Sequence, residues 1–148
     1  MRNLIISVII LLAMLAMPVL PTQAQLAAQA FNEVVFLDAL GKKNTATVGD
    51  ALILFELVIG KKQPWHKDGA AGNAALKKGF IALKVADALK LTDSAVYTLF
   101  KFERYAFRAC VAHGLLNADG SEYDSMSGEE LIEFLTLASE YKSKGAAK

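Results

Sequence analysis

The residue types that most often perform catalysis or bind metals are scarce in this chain, which has one cysteine, Cys110, and two histidines, His66 and His113. A nucleophilic thiol needs a base beside it and a group that orients the base, and the sequence by itself does not place His66 or His113 in that role beside Cys110. The residue four positions before His113 is Ala109, which is not a metal ligand, so no His-x-x-x-ligand pair supports a metal site. We therefore predict no catalytic site, no metal site and no cofactor. Cys110 is expected to be a small buried apolar residue, with a disulfide between two chains as the alternative.

The acidic segment 117–124 also contains oxygen ligands that calcium could use. A calcium-binding loop of the common helix–loop–helix type needs glycine at its sixth position and glutamate at its twelfth. Gly120 falls at a different position, and no glutamate stands at the twelfth. The segment is therefore predicted to be an ordinary polar loop.

Three residues are the candidates for binding a ligand, namely Trp65, Arg104 and Arg108. Trp65 precedes His66 in an irregular stretch, where its ring could stack on a sugar or simply cover the core. Arg104 and Arg108 are one helical turn apart and could hold a carboxylate or phosphate between them. The simpler explanation is a structural ion-pair cluster around Tyr105 or a neighbouring carboxylate.

The first 24 residues have the three parts of a secretory signal peptide. Arg2 precedes an apolar run over residues 4–20, and prolines follow before the small-residue site that ends at Ala24. We expect cleavage after Ala24, with a cut after Ala30 as the alternative. An uncleaved anchor is less consistent with the short run, because a spanning helix needs about 20 apolar residues. The protein is thus expected to be exported, by a bacterial route, to the periplasm or beyond.

Charge composition limits the partners of the exported chain. The whole sequence has 16 basic and 15 acidic residues. Removing Arg2 with the signal leaves 15 of each, which argues against nucleic acid and against acidic lipid as partners. No further segment is apolar enough to span a membrane, so no membrane span is expected after cleavage. We expect one domain over residues 25–142 and a flexible tail over 143–148.

Hydrophobic periodicity predicts an all-α fold, a small bundle of about five to six helices built from helical hairpins. Thr47 with Asp50, and Ser127 with Glu130, form capping boxes that predict two helix starts. Glycines are expected to end three of the helices. The predicted helices cover residues 26–40, 48–59, 74–90 with Asn73 as cap, a helix from Thr92 or Asp93 to a break near Lys101 and Phe102, then 103–113, and a last helix from 128.

A weak internal repeat accompanies the capping boxes. Residues 47–55 (TVGDALILF) align with residues 126–134 (MSGEELIEF), and residues 75–81 resemble residues 109–116. Duplication of a helical hairpin would produce this pattern. The shared need of any hairpin for a glycine stop and a capped start would also produce it.

The segment 104–116 (RYAFRACVAHGLL), followed by SGEEL at 127–131, resembles uncharacterised exported bacterial proteins with an RYA-R…GL…SG-EL pattern. The order of helix, Gly-Leu-Leu, loop and capped helix is also similar to surface-layer homology modules. That second resemblance implies stacked helical hairpins and binding to cell-wall polysaccharide. In those modules an arginine in a Thr-Arg-Ala-Glu-like motif binds the ligand, whereas residues 47–50 and 127–130 contain none.

The function expected from these observations is non-enzymatic. We predict an exported helical domain that binds another component of the envelope or extracellular space, most simply a protein. The alternative is a carbohydrate-binding or cell-wall-binding domain that uses Trp65, Arg104 and Arg108. The third hypothesis is an enzyme that depends on Cys110.

Overall fold

A computed structural model describes residues 23–60, 71–91 and 101–146 of the chain. These residues are all-helical, as the periodicity predicts, and they contain no β-strand. The predicted signal peptide lies outside them except for its last two residues, and so do residues 61–70 and 92–100. The helices are α1 (Gln23–Gly41), α2 (Val48–Ile59), α3 (Lys78–Leu89), α4 (Glu103–Ala112) and α5 (Gly128–Ala146), with a short 3₁₀ helix at Ala71–Asn73.

Both predicted capping boxes are present. Thr47 accepts a hydrogen bond from the backbone N–H of Asp50, and the Asp50 carboxylate accepts one from the Thr47 N–H. Ser127 and Glu130 make the same reciprocal pair at the start of α5. Each box satisfies amides that the first helical turn leaves without partners. At the other end of α2, Gly60 adopts the left-handed conformation predicted for a helix stop.

The start of α3 differs from the prediction. The helix begins at Lys78 and not at residue 74, so Asn73 does not cap it. Residues 74–77 form no helical turn, and no side chain caps the first turn at Lys77. The reason is tertiary, because backbone groups of residues 74–78 bond to two distant segments and are unavailable for helical bonds.

The three segments that precede α2, α3 and α5 meet in a closed ring of backbone hydrogen bonds. The N–H of Leu76 donates to the carbonyl of Ala46 at 2.9 Å, and the N–H of Met126 donates to Leu76 at 3.0 Å. The N–H of Ala46 closes the ring on Met126 at 2.9 Å. All three side chains are fully buried. We call residues 43–48, 74–78 and 124–128 the junction.

A second set of three hydrogen bonds surrounds this ring. In each of them the donor is the N–H of the residue two positions after a member of the ring. Val48 donates to Ala74 at 3.0 Å, and Lys78 donates to Asp124 at 2.9 Å. Gly128 donates to the carbonyl of Lys43 at 2.9 Å. Lys43 lies three residues before Ala46, whereas the other two acceptors lie two residues before their ring members. The junction is therefore a threefold repeat of one local structure within a single chain.

This geometry gives the register of the internal repeat. The ring places Ala46, Leu76 and Met126 in equivalent positions, so Thr47 corresponds to Ser127 and not to Met126. The predicted alignment of 47–55 with 126–134 is therefore one residue out of register. Residues 75–81 are equivalent to the other two helix starts and not to residues 109–116. The repeat thus has three copies in structure, two with a capping box and one without.

The core fills the space around the junction. α2 packs on α5, and α3 packs on both α4 and α5. Lys142 of α5 donates to the carbonyl of Ile59 at 2.8 Å, which satisfies an acceptor at the end of α2. α5 remains helical as far as Ala146, beyond the start of the predicted tail at 143. The largest fully buried side chains include Phe55, Phe134, Leu40, Ile59, Leu76, Ile81, Met126, Leu131 and Leu135.

None of the described helices combines the length and the apolar character needed to cross a bilayer.

Candidate functional site

Of the three predicted ligand-binding residues, the structure describes the two arginines, and they do not line the same cleft. Arg104 lines an open cleft, whereas Arg108 is exposed on α4 and is not part of the lining. Trp65, like His66, lies outside the described residues. The candidate site therefore consists of Arg104 and the residues that line the same cleft.

The cleft has a volume of about 600 Å³ and lies between the start of α4, the side of α3 and the loop that leads to α5. α4 and the residues before it contribute one wall, and the loop contributes the other. Several side chains in the lining are aromatic or charged. The lining consists of Leu83, Lys101, Phe102, Glu103, Arg104, Tyr105, Glu122 and Tyr123. We call it the aromatic cleft.

The α4 wall is shaped by Lys101 and Phe102, two non-helical residues just before α4, where the sequence predicts a break; the helix predicted before them lies outside the described residues. Lys101 has a positive φ of 40°, and Phe102 is the extended residue that precedes the first turn of α4. The ring of Phe102 lies 6.4 Å from that of Tyr105, within range of an aromatic contact. Lys101 also pairs with Asp87 of α3 at 3.2 Å. The break therefore turns Phe102 outward, where its side chain is 61% exposed.

The loop wall depends on a close approach at Gly79. The Gly79 N–H donates to the carbonyl of Glu122 at 2.9 Å. A β-carbon on Gly79 would lie 2.9 Å from that of Glu122 and 3.0 Å from that of Glu103, closer than atoms normally pack. Glycine thus lets the loop rest directly on the first turn of α3. The loop then presents Tyr123, whose side chain is 73% exposed.

Charged groups in the cleft are of both signs. Arg104 and Lys101 are cationic, whereas Glu103 and Glu122 are anionic and half-buried. Among described residues, Arg104 and Arg108 form no ion pair, so the predicted ion-pair cluster around Tyr105 or a neighbouring carboxylate does not form there. Arg104 therefore keeps its donors available for a ligand. The cleft combines hydrogen-bond donors, carboxylate acceptors and aromatic faces.

Cys110 has the buried position that the sequence predicts. Its thiol is fully buried, 3.7 Å from the carbonyl of Ala82, to which it donates a weak hydrogen bond. Burial raises the pKa of the Cys110 thiol to about 12. The reactive thiolate is therefore strongly disfavoured, and a disulfide with a second chain would require the core to open.

His113 packs edge-on against Tyr141, with ring centres 5.2 Å apart. It is the residue that ends α4. Across the described ranges, no three His, Cys, Asp or Glu side chains are grouped in a way that could hold a metal ion.

A second cavity of about 200 Å³ lies between α4 and α5, lined largely by Phe107, Phe134 and neighbouring leucines. Its polar lining comprises Asn117, Glu133 and the Lys78–Glu130 ion pair, at 2.8 Å. The hydrogen bond from Lys78, with a backbone hydrogen bond from Ser127, lowers the pKa of Glu130. Because Glu130 also closes the α5 capping box, these groups already have a structural role.

Sequence reasoning missed the aromatic members of the site. Phe102 and Tyr105 are three residues apart, but Tyr123 lies in the polar loop before α5, and no sequence motif connects it with them. Tyr123 reaches the other two aromatic residues because its loop rests on Gly79. Comparison with known protein families, curated proteins and solved structures gives no match to this chain.

Proposed function

We propose that this chain is an exported, non-enzymatic helical domain that binds a protein of the cell envelope or extracellular space through the aromatic cleft. The observation that carries the proposal is the exposure of Phe102 and Tyr123 beside Arg104 in one concave surface. Single exposed apolar residues are ordinary on protein surfaces. Aromatic side chains and arginine grouped together are instead typical of the residues that dominate protein interfaces.

The chemistry of the other candidate groups supports a binding role. A Cys110-dependent enzyme needs an accessible thiolate, and the buried thiol with its raised pKa disfavours one. Binding needs only the donors, acceptors and aromatic faces that the cleft contains. The balance of acidic and basic residues outside Arg2 is consistent with a protein partner.

Export is part of the proposal and rests on residues 1–24. Sequencing the amino terminus of the protein recovered from the host envelope or medium tests it directly. We expect the mature chain to begin at Gln25. A cytoplasmic protein that retains Met1 would contradict export. That result would not bear on binding by the cleft, which is tested separately.

The binding test compares the full chain with a Phe102→Ala, Tyr123→Ala double variant, produced in the host and cross-linked in place. We expect one envelope or extracellular protein to be captured by the parent chain and lost from the double variant. Reciprocal capture with the identified protein checks the pair. The matched control is Ile53→Ala, because Ile53 is a 49% exposed apolar residue outside the cleft. Equal capture by the parent and double variant would rule out the cleft as the binding surface.

Cell-wall carbohydrate is a second candidate ligand, favoured by the mixture of aromatic rings with Glu103, Glu122 and Arg104. Sugar hydroxyls both donate and accept hydrogen bonds, and sugar rings stack on aromatic faces. Retention of the parent chain on purified wall material, with release of the Phe102→Ala, Tyr123→Ala variant, would select this candidate. No retention of the parent chain would eliminate it.

A further inference from the structure

The solvent face of α4 is basic. Arg104 and Arg108 are both exposed and lie one turn apart, and Ala112 continues the same face without a charge. The only acidic residue of α4 is Glu103, which is half-buried toward Gly79. We call Arg104 and Arg108 the basic stripe.

The solvent face of α5 is acidic over its first turns, whereas Lys142 and Lys144 are exposed near its end. Glu129 and Glu133 are exposed one turn apart, and Thr136 and Glu140 continue the face at helical spacing. The neighbouring Glu130 points elsewhere, since it is paired with Lys78. We call Glu129 and Glu133 the acidic stripe.

Neither stripe is neutralised within the part of the chain that the structure describes. The ion pairs found there involve other residues, and none joins a member of one stripe to a member of the other. Glu140, beyond the acidic stripe, has only an exposed contact with Lys144 at 3.7 Å. The two stripes are thus complementary in charge but do not meet in the same molecule.

We propose that a second copy of this chain docks its acidic stripe on the basic stripe of the first. Four residues of helix rise about 6 Å, so the two arginines and the two glutamates have the same spacing along their helices. Each guanidinium can then take one carboxylate, with the two-pronged geometry that arginine prefers. The net charge of the chain is only +1, so long-range repulsion between copies is small.

Two arrangements satisfy this pairing. In a twofold dimer the basic and acidic stripes of both copies pair reciprocally, and association stops at two copies. In a head-to-tail contact each pairing leaves one stripe free on each copy, and association continues beyond a dimer unless the rotation between copies closes a ring. This self-association goes beyond the proposed partner binding, although Arg104 belongs to both the basic stripe and the aromatic cleft.

Sedimentation velocity of the purified mature chain tests the proposal, with ionic strength as the variable. At about 10 mM salt, where charges act over about 30 Å, we expect species larger than a monomer. At about 1 M salt, where they act over about 3 Å, we expect the monomer alone. A chain that stays monomeric at low salt and at concentrations up to about 1 mM would overturn the proposal.

Charge reversal identifies the surfaces. We expect Arg104→Glu, Arg108→Glu and, separately, Glu129→Lys, Glu133→Lys to be monomeric at low salt, and an equimolar mixture of the two variants to associate. The control for net charge is Lys42→Glu, Lys90→Glu, which changes exposed residues outside both stripes and should self-associate as the parent does.

Restoration by mixing distinguishes a lost contact from a lost fold. Two variants that remain monomeric when mixed, or that still associate alone, would show that these stripes are not the interface. Phe102→Ala, Tyr123→Ala should self-associate like the parent chain, so failure of partner capture and failure of self-association are separate results.

Discussion

The junction and the aromatic cleft share two neighbouring pieces of chain but use their polar groups in opposite ways. Lys78 and Asp124 belong to the junction, where their backbone groups bond to each other. Gly79 and Tyr123, one residue further along and one residue earlier, build the cleft. In the junction every backbone group named above has a partner, and the side chains at its centre are fully buried. In the cleft, aromatic rings and the Arg104 guanidinium face solvent.

The difference indicates which region serves stability and which serves binding. Buried polar groups whose hydrogen bonds are all made within the protein stabilise the fold and have no donor or acceptor available for a ligand. Exposed aromatic and cationic groups contribute little to the fold and gain from contact with a partner. Substitutions should therefore separate the two regions, with large losses of stability at the junction and small ones in the cleft.

The largest loss of stability is expected at Gly128 in the junction. A β-carbon there would lie 1.7 Å from the backbone carbonyl oxygen of Leu40, and backbone cannot move aside as a flexible side chain can. We expect Gly128→Ala to reduce the free energy of unfolding by at least about 4 kcal/mol, or to prevent folding. Urea denaturation followed by circular dichroism measures it. Gly145→Ala in the same helix is the control, because nothing lies within 4 Å of its β-carbon position. Equal behaviour of the two variants would refute the close approach of α5 to Leu40.

A moderate loss is expected at Gly79, where the junction meets the cleft. The contacts of an added β-carbon, at 2.9 and 3.0 Å, can be relieved by moving the 117–125 loop outward. We expect Gly79→Ala to cost about 1–3 kcal/mol, which is typical of overpacking. Partner capture should fall with it, because Tyr123 would be displaced. Full capture with lowered stability would mean that Tyr123 does not have to rest on Gly79 for binding.

The capping box at α2 makes a smaller contribution that depends on pH. Burial would raise the pKa of Asp50, but hydrogen bonds from Lys43 and Thr47 outweigh it and hold the pKa below its ordinary value of 3.8. The folded chain therefore binds this proton less readily than the unfolded chain does. The stabilisation is present above about pH 4 and is lost as the pH falls through the folded-state pKa.

Asp50→Asn removes that dependence. We expect it to lower the free energy of unfolding by about 1 kcal/mol at neutral pH and to flatten the loss of stability below about pH 4. Thermal unfolding across the pH range measures both effects. Asp38→Asn is the control, since within the described part of the chain the Asp38 carboxylate forms an exposed ion pair with Lys42. If the free energy of unfolding falls equally below about pH 4 in the parent and Asp50→Asn chains, Asp50 does not stabilise the fold through its charge.

The smallest effect on stability is expected in the aromatic cleft. Phe102→Ala, Tyr123→Ala removes rings that are mostly in solvent, so the free energy of unfolding should change by less than about 0.5 kcal/mol per residue. The same variant should lose partner capture. Denaturation and capture measured on one preparation check this directly. A large loss of stability would place the two rings with the structural residues and remove the main reason to regard the cleft as a binding surface.

Local sequence signals determined much of the fold. The capping boxes at Thr47 and Ser127 and the stop at Gly60 are decided by groups within a few residues of each other. The amphipathic spacing of the helices and the single cysteine likewise indicated an all-α core with a buried Cys110. These features could be predicted because their physical causes are local.

Only the tertiary structure decided where α3 begins, how the repeat is aligned and which residues line the cleft. Residues 74–77 are pulled out of the helix by hydrogen bonds to segments about 30 and 50 residues away, which outweigh local propensity. Phe102, Arg104 and Tyr123 converge because Gly79 admits the loop, while Arg108 one turn along α4 stays outside. Backbone pairing and close packing between distant segments leave no periodic pattern in a sequence, so the junction and the site it supports could be identified only from the folded chain.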